Sequence, residues 1–146
     1  MEFETNKTKV VRVSNAVAVG TNTITSSTID MANWEGVRFI VAFGTITDGT
    51  PNIQGRQGQV SNMSDGASLL GTDVAMADTD DNKLGILEIF RPQERYVDCQ
   101  VVRGGATGCV IDGIIAELYG PRVMPVTKDA TVGAQEMHAS PIEGTP

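Results

Sequence analysis

The sequence is poor in the residues that enzyme sites use most often. Its 146 residues include one histidine, His138, and two cysteines, Cys99 and Cys109. A Ser or Cys nucleophile needs a positioned base, usually histidine, and a zinc site needs several Cys or His ligands at short spacing. We therefore expect no catalytic residues, no cofactor and no metal, and we expect that the protein is not an enzyme.

Basic clusters and long apolar runs are also missing. Eleven basic residues are scattered between Lys7 and Lys128, and 18 acidic residues bring the net charge to −7. Nucleic-acid binding needs a concentrated positive face, so a nucleic-acid partner is not expected. No segment has the apolar length of a membrane helix, and the start, MEFETNKTKV, lacks the apolar stretch of a signal peptide. We expect a soluble protein that has no membrane partner and is made in a cytoplasm.

Aromatic residues make up only 5% of the chain. A carbohydrate-binding module needs exposed aromatic platforms, and Trp34, in the turn DMANWEG, is the one candidate. The alternative is that Trp34 closes one end of the domain as a cap. A small glycosidase would need a pair of carboxylates, for which Glu88, Asp112 and Glu117 are candidates, although single acids in strands usually face solvent.

Two short stretches imitate binding motifs. The run DTDDN at 78–82 resembles the opening of a calcium loop, but the sixth position is Lys83 and the twelfth is Ile89, where glycine and glutamate are required. We interpret it as a polar hairpin turn. In RPQERY, Arg91 and Arg95 flank Glu94 and either hold a strand corner or reach an acidic partner.

The two cysteines flank the segment VVRGGATG. A hairpin centred on Gly104 would place Cys99 and Cys109 opposite each other, within reach of a disulfide. In a reducing compartment, two small buried side chains with free thiols are the favoured interpretation.

From Val10 to about Leu118, short runs rich in Val, Ile and Thr alternate with Gly, Asn and Asp, which is typical of an all-β domain. Sampling every second residue of 36–46 and 95–102 gives apolar faces, which we predict to be core. The pattern predicts an antiparallel β-sandwich over 10–119, preceded by an N-terminal arm, 1–9. The predicted strands are 10–19, 21–29, 36–46, 52–60, 72–77, 84–90, 95–102 and 109–119.

Two predicted strands, LGILEIF (84–90) and CVIDGIIAELY (109–119), are apolar on both faces. A sandwich strand normally shows one face to water, so a second apolar face indicates either a covering loop or an oligomer interface. The candidate interface residues are Leu84, Ile86, Phe90, Val110, Ile114 and Leu118.

The composition changes after Tyr119. Residues 120–146 hold four of the six prolines and few large aliphatic side chains. Such a segment does not fold alone, so we predict either a disordered tail or an extended C-terminal arm on a neighbour. Fully extended, it would reach roughly 90 Å.

Three stretches together resemble a group of small tailed-phage virion proteins, usually encoded beside the major capsid protein. They are NAVAVGTNTITSSTIDMANWEGVRFIVAFGTIT, DTDDNKLGILEIFRPQERYV and DGIIAELYGPRVMPVT, and the resemblance covers about residues 10–130. It implies a capsid decoration, or cement, protein: a sandwich or jelly-roll body, trimeric, on the outer surface of the phage head. The implied partners are the major capsid protein and further copies of the chain, and the implied location is the virion.

In such a protein, the two terminal arms are the segments expected to grip the capsid. The candidate capsid contacts are Arg122, Met124, Val126 and Lys128. Another virion part, such as a head–tail connector or a tail subunit, is the near alternative, and a carbohydrate-binding module is the alternative from a different class.

Overall fold

The computed structural model describes residues 2–146, so only Met1 of the predicted N-terminal arm lies outside it. A short 3-10 helix, Glu4–Asn6, precedes the strands. Among the residues described, no helix is long and apolar enough to cross a membrane. The strands are β1 (Lys9–Ser14), β2 (Val17–Gly20), β3 (Ile24–Thr25), β4 (Ile29–Asp30), β5 (Gly36–Ile46), β6 (Asn52–Gly58), β7 (Ala67–Ser68), β8 (Val74–Ala75), β9 (Leu84–Phe90), β10 (Tyr96–Val102) and β11 (Cys109–Tyr119).

The strands form two antiparallel sheets that pack face to face, which confirms the predicted β-sandwich. In sheet A the order is β1-β11-β5-β9, with β2 beside β11, and in sheet B it is β3-β10-β6-β7, with β4 beside β10 and β8 beside β6. Three outer strands are each interrupted and consist of two pieces, β1 with β2, β3 with β4, and β7 with β8. If each of these is counted as one strand and the strands are renumbered from 1 to 8 along the chain, the orders are 1-8-3-6 and 2-7-4-5. This arrangement of eight strands in two sheets is a jelly roll.

The core lies between the sheets and comes from the predicted alternation. In β5, the side chains of Val37, Phe39, Val41 and Phe43 are buried, and β10 contributes Val97, Cys99 and Val101 from the opposite sheet. Both predicted core faces are therefore confirmed. A Cβ on Gly55, in β6, would lie 2.7 Å from Cδ1 of Ile89 in β9, so this glycine lets the two sheets approach closely.

The first two predicted strands are shorter than expected. The run 10–19 is split between β1 and β2, which both pair with β11, and 21–29 keeps only β3 and β4. Between β3 and β4, the hydroxyl of Ser26 accepts a hydrogen bond from the backbone N–H of Cys99 at 3.0 Å. The Ser26 hydroxyl thus takes the place of a backbone carbonyl as the acceptor for this N–H group of β10.

The predicted hairpin around Gly104 is wrong. Strand β10 lies in sheet B and β11 in sheet A, so 103–108 crosses between the sheets and the two cysteines do not face each other across a hairpin. Both thiols are free and buried. Burial raises the pKa of Cys99 to about 12, so its thiol stays protonated at neutral pH.

Two polar side chains hold this crossing segment. The carboxylate of Asp48 accepts hydrogen bonds from the backbone N–H groups of Ala106, Thr107 and Gly108. The buried guanidinium of Arg103 donates to three backbone carbonyl oxygens, those of Ala18, Asn22 and Cys109. The crossing is fixed by these contacts with backbone groups, which sequence periodicity does not show.

The C-terminal arm begins by lying against its own domain. The backbone N–H of Val126 donates to the carbonyl of Asn6, and Thr131 accepts from the backbone N–H of Arg12 through its hydroxyl. Lys9 of β1 forms an ion pair with Asp129 at 3.2 Å. Residues 126–132 therefore run beside β1 and the N-terminal segment, whereas 133–146 are almost entirely exposed.

Candidate assembly surface

The outward face of sheet A carries an apolar stripe that crosses three strands. Ile40 of β5 is the register partner of Ile86 in β9 and of Ile115 in β11. Ile86 and Ile115 are 48% and 42% exposed, and Leu84 and Val10 extend the stripe at 59% and 44%. Exposed apolar groups that adjoin one another in this way are typical of a surface that binds another macromolecule.

A groove of about 590 Å³ lies along this stripe, and the C-terminal arm forms one of its walls. Ile40, Ala42 and Leu84 line it from the sheet, and Thr131 and Val132 line it from the arm. The position of the arm therefore shapes the apolar surface.

A charged row borders the stripe on one side. Arg38 of β5 is the register partner of Glu88 in β9 and of Glu117 in β11, and its guanidinium donates to the Glu117 carboxylate. The hydroxyl of Tyr119 donates to Glu88. Burial and the neighbouring Glu88 carboxylate raise the pKa of Tyr119 to about 12. This row ends the apolar stripe and gives it a polar boundary.

The outward face of sheet B is polar instead. Arg56 of β6 and Asp98 of β10 are register partners, and the guanidinium donates twice to the carboxylate, at 2.9 and 2.5 Å. Asp98 is almost fully buried, with a side-chain exposure of 2%. Beside them, Gln54 and Gln100 are also register partners. The two faces of the sandwich therefore differ in chemistry, and the apolar one belongs to sheet A.

The structure divides the six predicted interface residues between surface and core. Leu84, Ile86 and Phe90 of β9 are exposed and point outward, and Val110 is half-buried. Ile114 and Leu118 lie in the core, with exposures of 0% and 3%, so their assignment to an exposed interface is wrong.

A β-bulge explains this correction. The register of β11 against β5 shifts between Ile111 and Gly113, so Ile111 and Ile114 both point inward although they are three residues apart. Past the bulge the outward residue is Ile115, which is 42% exposed and is not among the six predicted interface residues. The Asp112-Gly113 dipeptide was the available signal, because glycine in a strand interior often marks a bulge.

The four candidate capsid contacts lie on the first half of the C-terminal arm. Arg122, Met124 and Lys128 are exposed and Val126 is half-buried. The backbone N–H of Arg122 donates to the carbonyl of Asn33, and the Lys128 amine donates to the carbonyl of Val132. The arm thus presents these side chains to solvent while its backbone is attached to the domain.

The corner between β9 and β10 is held by the two arginines of RPQERY, as the first of the two interpretations of that stretch predicted. Arg95 makes two hydrogen bonds with the Asp30 carboxylate, at 2.9 and 2.8 Å, and Arg91 pairs with Glu35 at 3.1 Å. Trp34, beside this corner, is half-buried and packs against the core, as a cap would.

The acidic turn 78–82 is held by internal hydrogen bonds. Asp80 accepts from the backbone N–H of Ala77 and pairs with Lys83, and Asp81 accepts from the backbone N–H of Ile46. The turn joins β8 of sheet B to β9 of sheet A, so it is not a hairpin. Across residues 2–146, no group of three or more His, Cys, Asp or Glu side chains has the arrangement of a metal site.

The carboxylates considered for catalysis do not converge on one cavity. Glu88 is bonded to Tyr119 and Glu117 to Arg38, while Asp112 is exposed near the bulge. His138 lies in the exposed tail, 2.9 Å from Glu136.

No known protein-family profile matches the chain, and no curated protein matches it significantly in sequence.

Proposed function

We propose that this protein is a structural component of a phage virion that decorates the outer surface of the head. The observation that carries the proposal is the apolar stripe on the outward face of sheet A, flanked by an arm that presents further exposed side chains. A surface of this kind suits attachment to a large protein partner. The resemblance of the three sequence stretches to small tailed-phage virion proteins supplies the identity of the partner, the major capsid protein.

The two parts of the surface suit different contacts. The apolar stripe lies on a rigid sheet, so it suits a shape-matched contact, whereas the arm carries Val123 and Met124 at 71% and 57% exposure on a segment without regular structure. A decoration protein gains from both, because many weak contacts repeated over a shell give a large total.

The fold is compatible with this proposal but does not select it. Jelly rolls occur in viral capsid proteins and also in lectins, and a fold does not imply a function. Self-association is part of the proposal, and the trimer that the resemblance implies stays a prediction.

The experiment is cosedimentation with capsids assembled from the major capsid protein of the phage that carries this chain, followed by cryo-electron microscopy. Saturable binding, with regular density over the outer surface, is the expected result. An unrelated capsid of similar size is the control for nonspecific adhesion.

A pair of variants tests whether the C-terminal arm takes part in binding. Met124→Glu changes the arm, and Thr23→Glu introduces the same charge at another exposed position, between β2 and β3. We expect the Met124 variant to bind the capsid at least tenfold more weakly and the Thr23 variant to bind normally. Absence of binding to these capsids would overturn the proposal. In cryo-electron microscopy of complete phage particles, density confined to the neck or tail would instead move the protein to the connector class.

A further inference from the structure

Three of the four sheet edges in the sandwich are protected against pairing with another strand. In sheet B, both outer positions are taken by two-residue strands, β3 and β4 on one side and β7 and β8 on the other. In sheet A, the edge at β1 is occupied by other parts of the chain. Ser27 donates to the carbonyl of Val13, and Thr131 accepts from the N–H of Arg12. Short strands and covering segments are common ways of blocking an exposed edge.

The fourth edge, β9, has no such protection. It is seven residues long, and β5 is the one strand that pairs with it among the described residues. At the two ends of this ladder, the backbone N–H of Arg91 donates to the carbonyl of Glu35, and that of Phe43 donates to the carbonyl of Lys83. These two bonds show which residues of β9 are hydrogen-bonded to β5. Because hydrogen-bonded positions alternate along an antiparallel pair, the odd-numbered residues of β9 bond to β5. The backbone N–H and C=O groups of Leu84, Ile86, Glu88 and Phe90 therefore point away from the domain.

The side chains along this edge are apolar as well as exposed. Leu84, Ile86 and Phe90 are 59%, 48% and 57% accessible. Leu70, which is fully exposed, lines a groove of about 410 Å³ together with Phe90 and Ile89. A long, apolar, unpaired edge strand is a template for strand addition.

We propose that β9 pairs with β9 of a second copy of this chain, about a two-fold axis at Leu87, so that sheet A continues from one subunit into the other. This antiparallel register places Leu84 opposite Phe90 of the second copy and Ile86 opposite Glu88. All four residues with outward backbone groups on one strand then meet all four on the other. The contact is isologous, because Leu84 of each copy meets Phe90 of the other.

The side chains are compatible with this register. Leu84 and Phe90 form two equivalent apolar cross-strand pairs, and no two carboxylates lie directly opposite each other. At each end, Lys83 of one copy faces Arg91 of the other. Each of these cations already has a carboxylate partner, Asp80 or Glu35, so the ends carry balanced charge.

The contact is expected to be weak. Seven residues at ~3.3 Å each give a strip roughly 23 Å long, and two sheet layers, each ~10 Å thick, make it roughly 20 Å wide. The strip therefore covers roughly 400–500 Å² per copy. Stable complexes usually bury about 800 Å² per partner. The dimer should therefore dissociate in the micromolar range, and its mass must be measured over a range of concentrations.

Sedimentation of the full chain from submicromolar to several hundred micromolar concentrations tests the pairing. Ile86→Glu is the test variant, because in the proposed register it puts a second carboxylate directly opposite Glu88 of the other copy. Ile115→Glu is its matched control, because both residues lie in the same cross-strand row with similar exposure, but β11 has strands on both sides. We expect a concentration-dependent dimer in the wild type and in the Ile115 variant, and at least tenfold weaker association in the Ile86 variant. Equal loss in both variants would indicate stacking of the sheet faces and overturn edge pairing.

A second measurement uses single-cysteine additions at the paired positions. In the proposed register, mixing Ile86→Cys with Glu88→Cys protein gives a disulfide-linked heterodimer, since hydrogen-bonded partners have Cα atoms ~5.5 Å apart, within disulfide range. Cross-linking that is no greater in the mixture than in either variant alone, or a monomer at every concentration, would refute the inference. A stable trimer, the assembly that the resemblance implies, would also refute it. None of these outcomes bears on capsid binding, which is measured separately.

Discussion

The ion pair between Arg56 and Asp98 offers a test of how burial controls the energetics of this domain. The Asp98 side chain is 2% exposed and Arg56 is 20% exposed, and two hydrogen bonds join them. Arg56→Met leaves a carboxylate in a site without its counter-charge. Removing one partner of a buried pair typically costs about 3–5 kcal/mol, because the remaining charge stays desolvated. We expect a loss of about 3 kcal/mol, or about 6–12 °C in Tm for a chain of this size.

Arg95→Met is the matched control. Arg95 makes the same two-bond contact with Asp30, but the two side chains are 54% and 46% exposed. Exposed pairs contribute about 0–1 kcal/mol, because water and salt screen them. Both substitutions remove one positive charge, so the difference between them isolates burial. Chemical denaturation at neutral pH measures both losses.

A double replacement separates the cost of the orphaned carboxylate from the value of the pair. Replacing Arg56 by Met and Asp98 by Leu together should cost less than Arg56→Met alone, because the double variant contains no buried charge. Equal losses for Arg56→Met and Arg95→Met, or a double variant worse than the single one, would refute the reasoning.

Three further predictions concern the crossing segment and the charged row. Hydrogen bonds from Gly108, Thr107 and Ala106 lower the pKa of Asp48 below 3.8, so its contribution to stability is present above that pH and is lost as pH falls through the lower folded value. The acid denaturation of Asp48→Asn should therefore be less steep than that of the wild type in stability measurements below about pH 4. Gly108→Ala should lose about 2 kcal/mol or more in denaturant unfolding, because its φ is +81° and a Cβ would overlap the carbonyl oxygen of Gly20, whereas Gly104→Ala, with open space around it, should be close to neutral. Spectroscopic titration should show one tyrosine ionising near pH 12, and Tyr119→Phe should remove that transition while Tyr96→Phe retains it.

The long strands of this domain could be predicted closely from its sequence. The bounds of β5, β9 and β11 are those expected from the alternating runs, since each is long enough for several side chains to enter the core. The short strands were less predictable. The segment 21–29 is rich in Thr and Ser, whose hydroxyls compete with the backbone for hydrogen bonds, and Ser26 does this at Cys99.

Connections between strands were the main source of error. The segments 78–82 and 103–108 have the length and composition of hairpin turns, yet both cross from one sheet to the other. Turn chemistry specifies how the chain reverses locally, but the sheet that receives the next strand is decided by which apolar faces pack together. The contacts that stabilise the second crossing come from Asp48 and Arg103, which bond to backbone groups across the fold.

The bulge in β11 has a consequence for assembly. Without it, Ile114 and Leu118 would have pointed outward and made the centre of sheet A a broad apolar face. With it, Ile115 points outward instead, and Gly113 beside its register partner Ala42 adds little apolar area to the stripe. The larger exposed side chains are left at β9, where the backbone is also unpaired. A partner that uses hydrogen bonds and apolar contacts together therefore gains most at the edge of the sheet rather than at its centre.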